Sequence, residues 1–98
     1  MLIPSFMAKS LVILLIGNNE ASEIYVKKKL ERAKERRIKA ELIRFDDSIS
    51  KEILINKIGE LNRSEEVGGI LVQLPLPQTI KESTREILDN IDLTKDVD

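Results

Sequence analysis

Six consecutive apolar residues, Leu11-Val12-Ile13-Leu14-Leu15-Ile16, constrain the fold more than any other feature of the chain. The run does not alternate, so both of its faces must be covered, and Gly17-Asn18-Asn19 ends it. A strand buried on both sides is an inner strand of a parallel sheet with helices above and below. The run is also far shorter than the roughly 20 apolar residues that a membrane-spanning helix needs. The apolar stretch from Met1 to Ala8 has no basic n-region, and no small-x-small cleavage site follows closely. It therefore reads as a lead-in to the strand rather than a secretion signal, and a cytoplasmic protein with no membrane partner is expected.

The rest of the chain repeats the same unit. A helix is predicted from about Ser22 to Arg37, with Ser22 as its N-cap and Val26, Leu30 and Ala33 as its buried stripe. Glu41 to Phe45 is a second short strand, closed by Asp46-Asp47-Ser48. Ser50 caps a second helix that buries Leu54, Ile58 and Leu61, although Gly59 within it costs about 1 kcal/mol against alanine. Gly69 to Leu74 is a third strand, stopped by Pro75 and Pro77. Thr79-x-x-Glu82 has the form of a capping box and predicts a third helix burying Ile80, Ile87, Leu88 and Ile91. The order βαβαβα predicts an α/β three-layer sandwich on a short, parallel, twisted sheet with right-handed crossovers. Ligands of such sheets bind beyond the carboxyl ends of the strands, here the loops after Ile16, Phe45 and Leu74.

Composition narrows the chemistry. The 98 residues, 42% hydrophobic and 34% charged, make one small globular domain covering 1–98. A net charge of −1 offers no general attraction for nucleic acid or membrane. Eight basic residues between Lys27 and Lys39 suggest a nucleic-acid patch, but aromatic residues are absent there and cations late in a helix complement its dipole. With no cysteine and no histidine, disulfides and thiol chemistry are excluded, and a general acid or base must be Lys, Tyr, Asp or Glu. No metal-ligand cluster is present, and Gly17-Asn18-Asn19 lacks the glycine spacing of a phosphate loop, so neither a metal nor a cofactor site is expected in this chain.

Three segments carry groups suited to a flat, nitrogen-rich ligand. Ser22, Tyr25 and Lys29 lie at helical spacing on one face beside the buried stripe. A half-shielded lysine there is suited to move protons; the plainer alternative is a solvated basic helix. Gln73, within Gly69-Ile-Leu-Val-Gln-Leu-Pro-Leu-Pro77, brings an amide donor and acceptor to the end of a buried strand, where it either holds a substrate or the lysine, or bonds a loop. Asp96 and Asp98 share one side of an extended Lys95-Asp-Val-Asp98 stretch, as a grip for an amino-pyrimidinone edge or as a solvated acidic end.

Together, Ala21-Ser22-x-x-Tyr25-Val26-x-x-Lys29, the Gly69–Pro77 run and Lys95-Asp-Val-Asp98 resemble the amino-terminal catalytic, folate-binding domain of bifunctional methylenetetrahydrofolate dehydrogenase/methenyltetrahydrofolate cyclohydrolase. The resemblance runs from Leu11 to Asp98. It implies interconversion of 5,10-methylene-, 5,10-methenyl- and 10-formyltetrahydrofolate in one-carbon metabolism. It makes Lys29 the catalytic lysine of the cyclohydrolase step, assisted by Gln73. It places Ser22, Tyr25, Asp98, Leu74 and Pro75 against the substrate, with Tyr25 stacking on the folate rings and Asp98 gripping the pterin edge. It also implies a homodimer, and NADP or NAD held by a dinucleotide-binding domain that would follow Asp98. Because that domain and the family's leading helix are missing from the sequence, the chain reads as a piece of a larger enzyme. A truncated, non-catalytic folding and dimerisation module is the alternative. Either way, apolar surface should be exposed where the leading helix is missing, partly covered by residues 1–8.

Overall fold

A computed structural model describes residues 9–97. The six-residue apolar run forms β1 (Ser10–Ile16), the central strand of a three-stranded sheet ordered β2-β1-β3, with β2 spanning Ala40–Phe45 and β3 spanning Val67–Val72. Both pairings are parallel: Leu11 to Ile16 face Ala40 to Phe45, and Leu11 to Leu14 face Gly69 to Val72. The central position explains the unbroken apolarity of β1. Val12, Leu14 and Ile16 point to one face, where they meet Leu54 and Ile58 of α2 (Lys51–Arg63) and Ile87 of α3 (Thr84–Asp89). Ile13 and Leu15 point to the other, where Val26 of α1 (Glu20–Glu35) covers them. The architecture is thus the expected α/β sandwich, with α1 on one side of the sheet and α2 and α3 on the other.

Local signals were read correctly at Ser50, whose hydroxyl accepts from the Ile53 amide at 3.2 Å and starts α2. They need correction at three places. The N-cap of α1 is Asn19, whose side chain accepts from the Ser22 amide at 2.9 Å, so Ser22 sits inside the first turn and is buried. Strand β3 begins two residues earlier than the apolar run suggests and ends at Val72. Its last ladder bond runs from the Gln73 amide to Leu14 O at 2.9 Å, and Pro75, without an N–H, cannot extend it. The Thr79-x-x-Glu82 pattern does not cap a helix, because the Thr79 hydroxyl donates to Asp47 O at 3.3 Å. A 3₁₀ turn at Lys81–Ser83 precedes the six-residue α3 instead. Ile80 and Ile91, placed in that helix from the sequence, are buried on either side of it, and Leu88 is only partly buried.

One element has no counterpart in the sequence reading. After α3 the chain returns along the free edge of β3, where Asp96 pairs with Ile70 in a parallel bridge.

Candidate active site

Helix α1 leaves the loop after β1, and Gln73 leaves the end of β3, so the sheet brings the two motifs to its carboxyl rim. Lys29 Nζ donates to Gln73 Oε1 at 2.8 Å across 44 residues of sequence. Gln73 is buried, and its Nε2 donates to Leu74 O at 2.9 Å. The Ser22 hydroxyl, buried in the first turn of α1, donates to the same carbonyl at 3.4 Å. Leu74 O therefore fixes which way the Gln73 amide faces: the nitrogen is held by the backbone and the oxygen is presented to Lys29. Lys29 itself is half-buried.

Tyr25 lies one helical turn before Lys29 and is 52% exposed, leaving a ring face for a flat ligand. Pro75 is exposed, and Leu74 is partly buried against the core. Asp98 lies outside the described residues. The structure thus joins Lys29, Gln73, Ser22 and the Leu74 backbone in one hydrogen-bonded unit, with Tyr25 beside it on α1. The part played by the Leu74 carbonyl has no sequence signature, since every residue has one.

Two cavities flank this unit. A groove of about 500 Å³ runs over the α1-side face of β1 and β3, floored by Leu11, Ile13 and Leu71 and reaching Lys29. Exposed Ile38 and Val97 border it. Residues 1–8, expected to cover part of it, lie outside the described residues. A smaller cavity of about 370 Å³ lies over the strand ends between Gly17, Asp47 and Pro75.

The amino end of α1 carries polar side chains of its own. At the amino end of α1 the Asn19 side chain already takes the Ser22 amide, and Glu20 and Glu23 fill the first turn with negative charge. A pyrophosphate would meet carboxylates rather than open N–H groups. Glu23 is committed elsewhere as well: it accepts both Arg44 guanidinium bonds at 2.7 Å, and those bonds hold its carboxyl below the usual range. Among the described residues no group of acidic side chains could hold a metal ion, and no helix is long and apolar enough to cross a membrane.

Residues 4–98 match the family model described as tetrahydrofolate dehydrogenase/cyclohydrolase, catalytic domain. The bifunctional protein FolD of Mesoplasma florum is 49% identical over 88 residues, which are 90% of this chain and 30% of that protein. The crystal structure of the bifunctional FolD methylenetetrahydrofolate dehydrogenase/cyclohydrolase from Campylobacter jejuni superposes with a TM-score of 0.87 at 39% identity, covering 94% of this chain and 32% of that one. A Trypanosoma brucei methylenetetrahydrofolate dehydrogenase-cyclohydrolase, solved with NADP cofactor and an inhibitor, matches with a TM-score of 0.78 at 26% identity over 87% of this chain and 28% of that one. The chain spans about a third of the length of these proteins.

Proposed function

The chain belongs to the tetrahydrofolate dehydrogenase/cyclohydrolase catalytic-domain family, and on that premise we propose that it binds tetrahydrofolate derivatives and opens the 5,10-methenyl bridge to the 10-formyl form. The observation that carries this reading is the 2.8 Å bond from Lys29 to an amide oxygen whose orientation is fixed by Leu74 O. In the hydrolysis, water adds to the one-carbon bridge, one ring C–N bond opens, and a proton is released. Lys29 is the proton carrier for that step, and with no histidine in the chain no imidazole competes for the task. Gln73 keeps the ammonium from swinging into solvent, which is a positioning contribution. Tyr25 offers a stacking face for the folate rings, Pro75 and Leu74 bound the exit loop, and Asp98 accepts from the pterin edge.

Hydride transfer calls for a nicotinamide dinucleotide, NADP or NAD, and the Trypanosoma brucei relative was solved with NADP. That half of the activity belongs to a polypeptide of the length of the relatives. We further assign the protein to the cytoplasm and to a homodimer, whose formation sedimentation at increasing concentration would test.

Titration calorimetry with tetrahydrofolate, followed by a methenyl-hydrolysis assay, tests the central proposal. Binding with turnover supports it. Binding without turnover leaves a folate-holding module, and neither sinks the folate reading altogether.

A further inference from the structure

The sheet has two outer edges, and the chain treats them differently. Along β3 the segment after α3 covers the edge, with Asp96 bridged to Ile70. Strand β2 has no such cover among the described residues. Its ladder to β1 shows which groups are left over. Leu11 N donates to Lys39 O at 2.8 Å and Gly17 N to Phe45 O at 2.9 Å, and the parallel register between them turns Lys39, Glu41, Ile43 and Phe45 inward. The N–H and C=O groups of Ala40, Leu42 and Arg44 therefore point outward. Such a row is a template for another strand. Neither a proline nor a bulge blunts β2, and the Arg44 guanidinium is drawn back to Glu23 of its own chain.

The surroundings of this edge suit a second copy of the chain. On the α1 side, Ile24 is 54% exposed, and with half-buried Leu30 and Leu42 it borders a cavity of about 340 Å³. On the α2 side, half-buried Ile43 borders a cavity of about 510 Å³ whose rim carries Lys39 and Lys57 against Glu41 and Glu66. Two cations and two carboxylates balance, so this rim favours neither an acidic nor a basic partner and complements a copy of itself. The outward residues are symmetric about Leu42. An antiparallel partner related by a two-fold axis there sets Leu42 against Leu42 and Ala40 against Arg44, which engages the outward N–H and C=O groups of all three residues on both edges. Glu41 falls opposite Ile43, so no like charges face each other. The axis stands perpendicular to the sheet, so the apolar patches on the two α1 sides meet.

We propose that β2 is the contact edge between two copies of this chain, paired antiparallel about Leu42 so that two three-stranded sheets become one of six strands. This rests on the homodimer assigned above and gives it a surface and a register. Neither Lys29 nor Gln73 lies on the edge, so the pairing leaves their hydrogen bond untouched.

The chain has no cysteine, so single introduced thiols report the contact. Leu42→Cys on the two-fold sets two Cα atoms about 5.5 Å apart, within the span of a disulfide. Under mild oxidation it is expected to form a covalent dimer at least about tenfold faster than Ile38→Cys on the open groove, because a paired edge holds the thiols at high effective concentration. Should Leu42→Cys fail to fold, Ala40→Cys and Arg44→Cys are mixed, and each is expected to link to the other and not to itself. Sedimentation of the unchanged chain runs alongside. Faster linking at position 38 would place the contact on the groove and overturn the edge. Equal rates at positions 38 and 42 would mark random encounter and overturn it too. A dimer in sedimentation with no link at position 42, or between 40 and 44, would overturn the edge and leave the homodimer standing. A monomer at every concentration, with no linking, would overturn both.

Discussion

The two faces of the sheet share the same three strands but are built for different purposes. Toward α2 and α3, thirteen buried hydrophobic residues form one cluster among the described residues, running from Val12 and Ile58 to Ile87 and Ile91. Toward α1 the corresponding cluster has four, Ile13, Leu15, Val26 and Leu71, and the groove beside it is open. The thin face is the one that carries Tyr25, Lys29 and the approach to Gln73. A helix that must present half-buried polar groups at the rim cannot also bury a broad apolar stripe. α1 accordingly keeps only Val26 and Ala33 fully packed, apart from Ser22. The larger core and the proposed site are therefore separated by the thickness of one sheet, and substitutions on the two faces should be distinguishable.

The largest expected effect lies on the thin face. Lys29→Met keeps length and flexibility but removes the ammonium beside Gln73, the proton carrier proposed above. Methenyl hydrolysis should fall by about 10²–10⁴-fold, the usual worth of general acid–base help. Urea unfolding should show a loss of no more than about 1 kcal/mol, the net value of one hydrogen bond. A variant that binds tetrahydrofolate but does not turn it over sharpens the contrast between the faces. A variant that unfolds breaks it, because Lys29 would then be holding the fold together.

What the sequence disclosed follows the same division. The face packed by α2 and α3 is written in apolar periodicity, and Leu54, Ile58, Leu61, Ile87 and Ile91 are all buried as their spacing implies. Lys29, in the middle of α1, and Gln73, just after β3, were legible as types, and parallel topology brings their elements together. Three features were not legible. The Thr79–Glu82 pattern matches a capping box, but Asp47 O competes for the Thr79 hydroxyl through a contact 32 residues away in sequence. Asn19 and Ser22 are both good caps, and only the backbone path out of β1 selects the first. The edge made by Asp96 and Val97 is set by Lys95 reaching carbonyls more than 30 residues earlier, and carbonyl groups leave no trace in a pattern of side chains.

On the thick face, Ile58→Ala is the sharper probe. Ile58 is fully buried between the sheet and its neighbours, so truncation removes transfer free energy and leaves a cavity. The expected cost is about 2–5 kcal/mol by urea or thermal unfolding, a large part of what a domain of this size possesses. Folded molecules of this variant should bind tetrahydrofolate as the unchanged chain does, because no residue of the Lys29–Gln73–Leu74 unit lies on α2. A drop in affinity that persists after correction for the unfolded fraction would mean that packing on the far face is transmitted through the sheet, and the two faces would not be independent.

The smallest effect belongs to the outer edge of the thin face, where Arg44 of β2 and Glu23 of α1 meet in a two-bond ion pair at 2.7 Å. The hydrogen bonds and charge of Arg44 lower the Glu23 carboxyl from its ordinary 4.5, so the folded state favours the ionised form. The sign follows directly. A depressed carboxyl contributes stability that is fully present above the unfolded value of 4.5 and is lost as pH falls through the lower folded value. Glu23→Gln should therefore differ slightly from the unchanged chain near neutral pH and converge with it in acid. Both charges are solvated, so the difference should shrink further in high salt. Comparing the two unfolding midpoints across this range, at low and high ionic strength, checks the assignment. A gap that stays constant with pH would mean that Glu23 ties α1 to β2 by packing rather than by charge. The thin face would then be held by more than its four buried residues and one surface pair.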